Sequence, residues 1–325
     1  MPKSKVIRKV IDNLSKVIDK VCEVVIQDVF YSVMEEFPPS NLDSKEYHKI
    51  QLNKQITIYG NSVAGKGTSF LIRGINYLPY DILFDAGHDL GSNEKNVGII
   101  FISHKDADHT KCLPGHILNS RIKPTIICPI SIVEQIIYFV DSAIKLHHGM
   151  DHQWSDKCYV VGLSEKEFIT YEVNKKREQS IKIDTFKAYH GQTHCLSYGL
   201  SLQTTGLKEK YKGQNIQILK KEQPDLDLFE NRIKPIIIYA TDTLIQFFDN
   251  EHVFKYPIIM IECTLLYSND PLGSKKHIHW DDLSKIVASH PNNQFVLFHF
   301  SDRYKETDIW KFLKDTKLPN VRPYF

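Results

Sequence analysis

A chain of 325 residues, 42% of them hydrophobic, carries enough apolar material for one large or two ordinary folded domains, which excludes an intrinsically disordered polymer. Its 41 Lys and Arg against 39 Asp and Glu leave a net charge of only +2, so any nucleic-acid surface must come from local clustering rather than a global basic bias. Six cysteines (Cys22, Cys112, Cys128, Cys158, Cys195 and Cys263) are scattered without paired spacing, which favours a reducing intracellular compartment.

No apolar run approaches the roughly 18 residues needed to cross a bilayer, and no charged, apolar, small-residue leader is recognisable; an intracellular protein, cytoplasmic or nuclear and without a membrane partner, is expected. From Val6 to Val25 apolar residues recur every three or four positions between Lys, Asp and Asn, the pattern of an amphipathic helix that ends before Pro38-Pro39. Residues 1–50 are therefore expected to be a helical extension docking on its own domain or on a second copy, and residues 51–325 the working domain.

Beyond Gln55 the texture changes to short apolar runs that predict strands: Ile56 to Tyr59, Ile82 to Phe84, Val97 to Ile102, Thr125 to Cys128, Pro235 to Ala240, Ile258 to Ile261 and Phe295 to Phe298. Helical periodicity lies between several of them, at Ile132 to Leu146, Trp280 to Ala288 and Thr307 to Leu313, so the class is α/β. No internal repeat is visible. Segments of about 145–182 and 208–231 are charged and weakly periodic, which predicts surface excursions. The first carries Lys145, Lys157, Lys175, Lys176 and Arg177, the second Lys208, Lys210, Lys212, Lys220 and Lys221; both are candidate phosphate contacts, although charge runs are usually solvated faces.

Gly60-Asn-Ser-Val-Ala-Gly65-Lys66 follows a strand and contains GxxxxGK, but Gly67 stands where a phosphate loop needs Ser or Thr for magnesium. A hairpin carrying small residues near the edge of a site is the better expectation. The sharpest chemical feature is Ser103-His104-Lys105-Asp106-Ala107-Asp108-His109, directly after the strand ending at Ile102. Four metal-ligating side chains within six residues can converge on one point, and imidazole with carboxylate suits Zn or, with more oxygen, Mn. His190, Asp242 and His299 also sit at or just after apolar runs, so a shared strand-end site able to hold two metals is expected.

This loop resembles the HxHxDH signature of metallo-β-lactamase-fold hydrolases, and its continuation to Cys112-Leu-Pro-Gly115 is similar to ribonuclease Z. In chain order, Gly60 to Gly65, Phe84-Asp85-Ala-Gly87, Tyr189-His190 through Ser197-Tyr198-Gly199, Thr241-Asp242-Thr243, Glu262-Cys-Thr264, His277-Ile-His279 and His299-Phe-Ser-Asp-Arg303-Tyr304 extend the resemblance over residues 55–310 or so. It implies a four-layer αββα sandwich and a metal-dependent endoribonuclease that removes the 3′ trailer of precursor tRNA, working as a homodimer with two divalent ions, Zn first and Mn second. It implies one ion at His104, His190 and Asp106, another at Asp108, His109 and His299, and Asp242 between them. Asp108 would orient or deprotonate water, Glu262 with His277 would assist the leaving 3′ oxygen, and Asp85 would steer a ligand. The excursion at about 145–182 falls where the family carries an RNA-binding arm.

Two departures stand out. Asp106 replaces the His of the ribonuclease Z pattern, and Gly191-Gln-Thr-His194 is inserted before Ser197, which makes His194 a rival to His190; His279 likewise rivals His277. The alternatives are therefore a same-fold nuclease or phosphodiesterase with another substrate, or a catalytically silent RNA-binding protein.

Overall fold

The computed structural model describes residues 48–52, 56–75, 78–91, 95–174, 179–191, 193–267 and 276–325. The expected amphipathic helix at Val6 to Val25 lies outside the described residues, as do Lys175, Lys176 and Arg177. Among the described residues, the first strand starts at His48, within the stretch expected to be extension: Lys49 and Gln51 are exposed while Ile50 and Leu52 are buried, the period-two signature of a strand with one face on the core.

Two seven-stranded sheets run in sequence order. The first contains β1 (His48–Gln51), β2 (Thr57–Val63), β3 (Gly67–Arg73), β4 (Asp81–Phe84), β5 (Val97–Phe101), β6 (Thr125–Pro129) and β7 (Tyr159–Leu163). The second contains β8 (Phe168–Asn174), β9 (Gln179–His190), β10 (Thr193–Leu207), β11 (Phe229–Ala240), β12 (Ile258–Glu262), β13 (Gln294–Phe298) and β14 (Val321–Pro323). In each sheet the first three pairings are antiparallel and the last three parallel. The topology thus repeats although the sequence does not.

The layers follow from which faces are apolar. Between the sheets, Phe70, Phe84 and Phe101 of the first meet Tyr198, Tyr239 and Phe298 of the second. Phe84 stacks on Tyr239 with ring centroids 4.6 Å apart, and Phe101 lies 4.8 Å from Tyr198. Burying each such ring contributes about 1.5–3 kcal/mol. On the outer face of the first sheet, Ile100 and Ile126 pack against Ile117 of α2 (Leu113–Asn119) and against Ile136, Val140 and Ile144 of α3 (Val133–His148), two helices that follow the short α1 (Ala107–Thr110). On the outer face of the second sheet, Ile259, Ile261 and Phe295 meet Leu283 and Val287 of one helix (Trp280–Ser289) and Ile309 and Leu313 of another (Glu306–Asp315). This is the expected four-layer αββα sandwich, and strand runs buried on both faces explain why β5, β6, β12 and β13 read as continuous apolar stretches.

One of the two expected excursions needs correction. The segment at about 145–182 is largely sheet rather than an arm: after the short α4 (Trp154–Lys157) it forms β7 and β8, joined by a turn of residues 164–167, and enters β9. Its charged texture arises because β7 and β8 are edge strands with solvated faces. The segment at 208–231 does leave the sheet, as a helical turn (Glu209–Tyr211), α5 (Ile216–Glu222) and the solvated start of β11. It lies where β10 ends, at Leu207, about 45 Å along the strand from Thr193 at the opposite end.

Candidate metal centre

Strands β4, β5, β11, β12 and β13 all end at one edge of the sandwich, and β9 ends there too because it runs parallel to β11. Each chain exit places a polar residue at this edge. Asp85, Asp242 and His299 leave their strands in left-handed backbone, at φ values of 54°, 44° and 61°. Such conformations are costly for residues other than glycine and concentrate where surrounding packing enforces a functional geometry. After β5 the chain passes Ser103 and His104 and enters α1, which brings Asp106, Asp108 and His109 around the same point.

The seven expected ligands come together in two groups that share one residue. Around one oxygen of Asp242, Oδ2, stand His104 Nε2 at 3.7 Å and His190 Nε2 at 3.8 Å, and Asp106 Oδ2 lies 3.7 Å from the first and 3.6 Å from the second. Around its other oxygen, Oδ1, stand His109 Nε2 at 3.4 Å and His299 Nε2 at 3.2 Å, with Asp108 Oδ2 3.6 and 3.9 Å from those nitrogens. Ligand atoms each about 2.0–2.2 Å from a tetrahedral ion are themselves about 3.4 Å apart, so both groups have the spread of a metal's ligand set.

A metal fits these residues by a second test. The Nε2 atoms of His104, His109 and His299 are buried without a hydrogen-bond partner, a costly condition unless another species takes their lone pairs. Meanwhile every Nδ1 is engaged: His104 with Ser103 Oγ at 2.9 Å, His109 with Asp85 Oδ2 at 2.8 Å, His299 with Thr264 Oγ1 at 3.0 Å, and His190 with the Lys276 carbonyl at 3.3 Å. These partners hold Nε2 toward the cleft.

Asp85 does not face the cleft. It is fully buried and accepts hydrogen bonds from Ser103 N and Oγ, His109 Nδ1 and the Tyr239 hydroxyl, the last at 2.6 Å. Burial lowers the His104 imidazole to about 4, aided by the neighbouring His109, and leaves it neutral as a ligand must be. For His109 burial acts in the same sense, but Asp242 and Asp85 outweigh it and raise it well above its ordinary value. Metal uptake would therefore displace a proton from that ring. Burial also works against the Asp108 carboxylate, yet His299 and His109 hold it well below the usual carboxylate range.

Beside the centre, fully buried Glu262 accepts from Thr243 N at 2.6 Å, Thr264 Oγ1 at 2.6 Å and His277 Nδ1 at 3.1 Å. Burial opposes protonation of His277, but Glu262 prevails and raises it to about 9. The rivals of the expected residues stand elsewhere. His279 caps the helix beginning at Trp280, accepting from Asp281 N at 3.0 Å, and His194 is exposed on β10.

The glycine-rich segment forms the tight β2–β3 hairpin, as expected. Its tip reaches the centre, where Gly65 N donates to Asp108 Oδ2 at 3.1 Å, and its flank is fixed to the other sheet by Ala64 N donating to the Phe300 carbonyl at 3.1 Å. Gly65, Ser103 and Thr264 lie inside the motifs read from the sequence but received no role there, and Tyr239 went unnoticed; only its place two residues before the Thr241-Asp242 motif could have signalled it.

No family model matches the chain, and no curated protein sequence does. Among solved structures it is similar to the metallo-β-lactamase fold protein YhfI from Bacillus subtilis, with a TM-score of 0.53 and 12% identity over 82% of this chain and 93% of that one. Zn(2+)-bound PqqB from Methylobacterium extorquens gives 0.51 and 10% identity over 83% and 97%. A diphosphatase from the PhnP family gives 0.51 and 12% identity over 83% and 94%. The fold is that of the metallo-β-lactamases.

Proposed function

We propose that this chain is a metal-dependent phosphodiesterase that cleaves RNA, and that the 3′ trailer of precursor tRNA is its substrate. The observation that carries the hydrolase reading is the division of Asp242 between two ligand groups, Oδ1 facing His109 and His299 and Oδ2 facing His104 and His190. Two divalent ions, zinc being the first choice, would supply Lewis acidity and neutralise charge on a phosphodiester there. The substrate is carried by the ordered motifs that resemble ribonuclease Z.

The protein groups divide the remaining work. Asp108, held anionic, is a weak base and is suited to orienting the attacking water rather than to deprotonating it. His277, kept protonated by Glu262, can donate a proton to the leaving 3′ oxygen. The orphaned imidazoles and the shared carboxylate hold the centre.

One observation favours a second reading within the same chemistry. The segment at about 145–182, where the resemblance places an RNA-binding arm, is built among its described residues mainly of strands of the two sheets, and those residues form no such arm. A smaller phosphodiester would need none. End-labelled precursor tRNA incubated with the purified protein and Zn or Mn, beside an Asp108→Ala control, separates the two. A cut at the 3′ discriminator that the control loses is expected. Turnover of bis(p-nitrophenyl) phosphate with precursor tRNA left intact would replace the RNA substrate, and tRNA retained with neither substrate cut would favour a binding protein.

A further inference from the structure

The two ligand groups contain the same donors: two imidazoles, one carboxylate of their own and one oxygen of Asp242. Donor chemistry alone therefore does not rank them. What ranks them is the hydrogen bonding behind the donors.

We propose that the centre fills in order, with the group of Asp108, His109 and His299 holding a resident ion and the group of His104, Asp106 and His190 holding an exchangeable one. This rests on the metal-centre reading above. Asp108 is pinned by the Gly65 N–H at 3.1 Å, and the hairpin that supplies it is tied to the second sheet at Phe300. His109 is backed by the fully buried carboxylate of Asp85 at 2.8 Å, and His299 by Thr264, whose own hydroxyl donates to Glu262 at 2.6 Å. Carboxylate-backed imidazoles are stronger donors, and fixed ligands lose little freedom when an ion arrives.

The other group is more weakly supported at two of its three residues. Asp106 occupies the N-cap position of α1 without making a side-chain capping bond, and its side chain is 43% exposed against 19% for Asp108. His104 is backed by the Ser103 hydroxyl at 2.9 Å, which donates to Asp85 just as that of Thr264 donates to Glu262, so His104 and His299 match; the difference lies in His190, backed only by a backbone carbonyl at 3.3 Å where His109 has a carboxylate. Supporting hydrogen bonds are typically worth 10–100-fold in metal affinity, so the two steps are expected to lie at least about tenfold apart. The solvated carboxylate of Asp106 suits a hard ion such as Mn(II) at the weaker step.

The test is titration of the chelator-stripped full-length protein with Mn(II) alone, with the free ion counted by its paramagnetic resonance signal. Two ions per chain in two separated steps are expected. Asp106→Asn is expected to abolish the weaker step and leave the tighter one within about threefold, whereas Asp108→Asn is expected to abolish the tighter step. Equal steps, or loss of the tighter step in Asp106→Asn, would overturn the order while leaving a dinuclear centre in place. No uptake by the unmodified protein would overturn both the order and the metal-centre reading. Stepwise uptake by a protein that cleaves no phosphodiester would uphold the order and defeat only the proposed activity.

Discussion

Asp85 and Asp242 occupy related places in the two sheets, each just past the fourth strand of a seven-stranded sheet and each in left-handed backbone. They nevertheless do opposite things. Asp85 is sealed beneath the centre by the Tyr239 hydroxyl, Ser103 and His109, so its lone pairs are spent on the protein. Asp242 keeps both oxygens toward buried imidazole nitrogens that have no other partner. A repeated backbone presents a carboxylate twice; the neighbours decide whether it supports a ligand or is one.

Variants that break or sharpen this contrast should differ in size of effect. Asp242→Ala removes the atom pair common to both groups, so loss of bound metal at both positions and a fall in turnover of about 10³-fold or more are expected, read by elemental analysis and cleavage assay. Asp85→Asn keeps the volume but removes the charge behind His109. Metal affinity should fall 10–100-fold and folding stability by about 1–3 kcal/mol, measured by metal titration and by denaturant unfolding.

Glu262→Gln acts one step further out. The protonated form of His277 serves as acid at pH values below its pKa, and the Glu262 charge is what raises that pKa. Removing the charge should move the alkaline limb of the pH–rate profile to lower pH and reduce turnover roughly 10–100-fold. A limb that stays in place would remove His277 from the acid role. The smallest effect is expected at the far end of β10, where a Lys208→Glu, Lys210→Glu and Lys212→Glu triple variant should alter turnover of a small diester less than about twofold, being about 45 Å along the strand from the centre.

The same contrast explains what could be read from sequence. The first sheet contributes His104, Asp106, Asp108 and His109 from one loop, a dense local pattern. The second contributes His190, Asp242 and His299 singly, 52 and 57 residues apart, and each became visible only as a polar residue ending an apolar run. The strands at β5, β6, β12 and β13 were legible because both their faces are buried. The edge strands β7 and β8 were not, since half-solvated, charged strands imitate a loop. The roles of Gly65 and Thr264, unlike their motifs, were invisible for another reason: they depend on where a hairpin tip and a strand end meet their partners, which no local pattern encodes.

The most direct test of a centre built jointly from both sheets is anomalous scattering at the manganese edge from a crystal of the protein grown with excess Mn(II). Two peaks are expected, one on each side of the Asp242 carboxylate, the stronger among Asp108, His109 and His299 and the weaker among His104, Asp106 and His190. A peak away from Asp242, or none among these imidazoles, would contradict the shared centre.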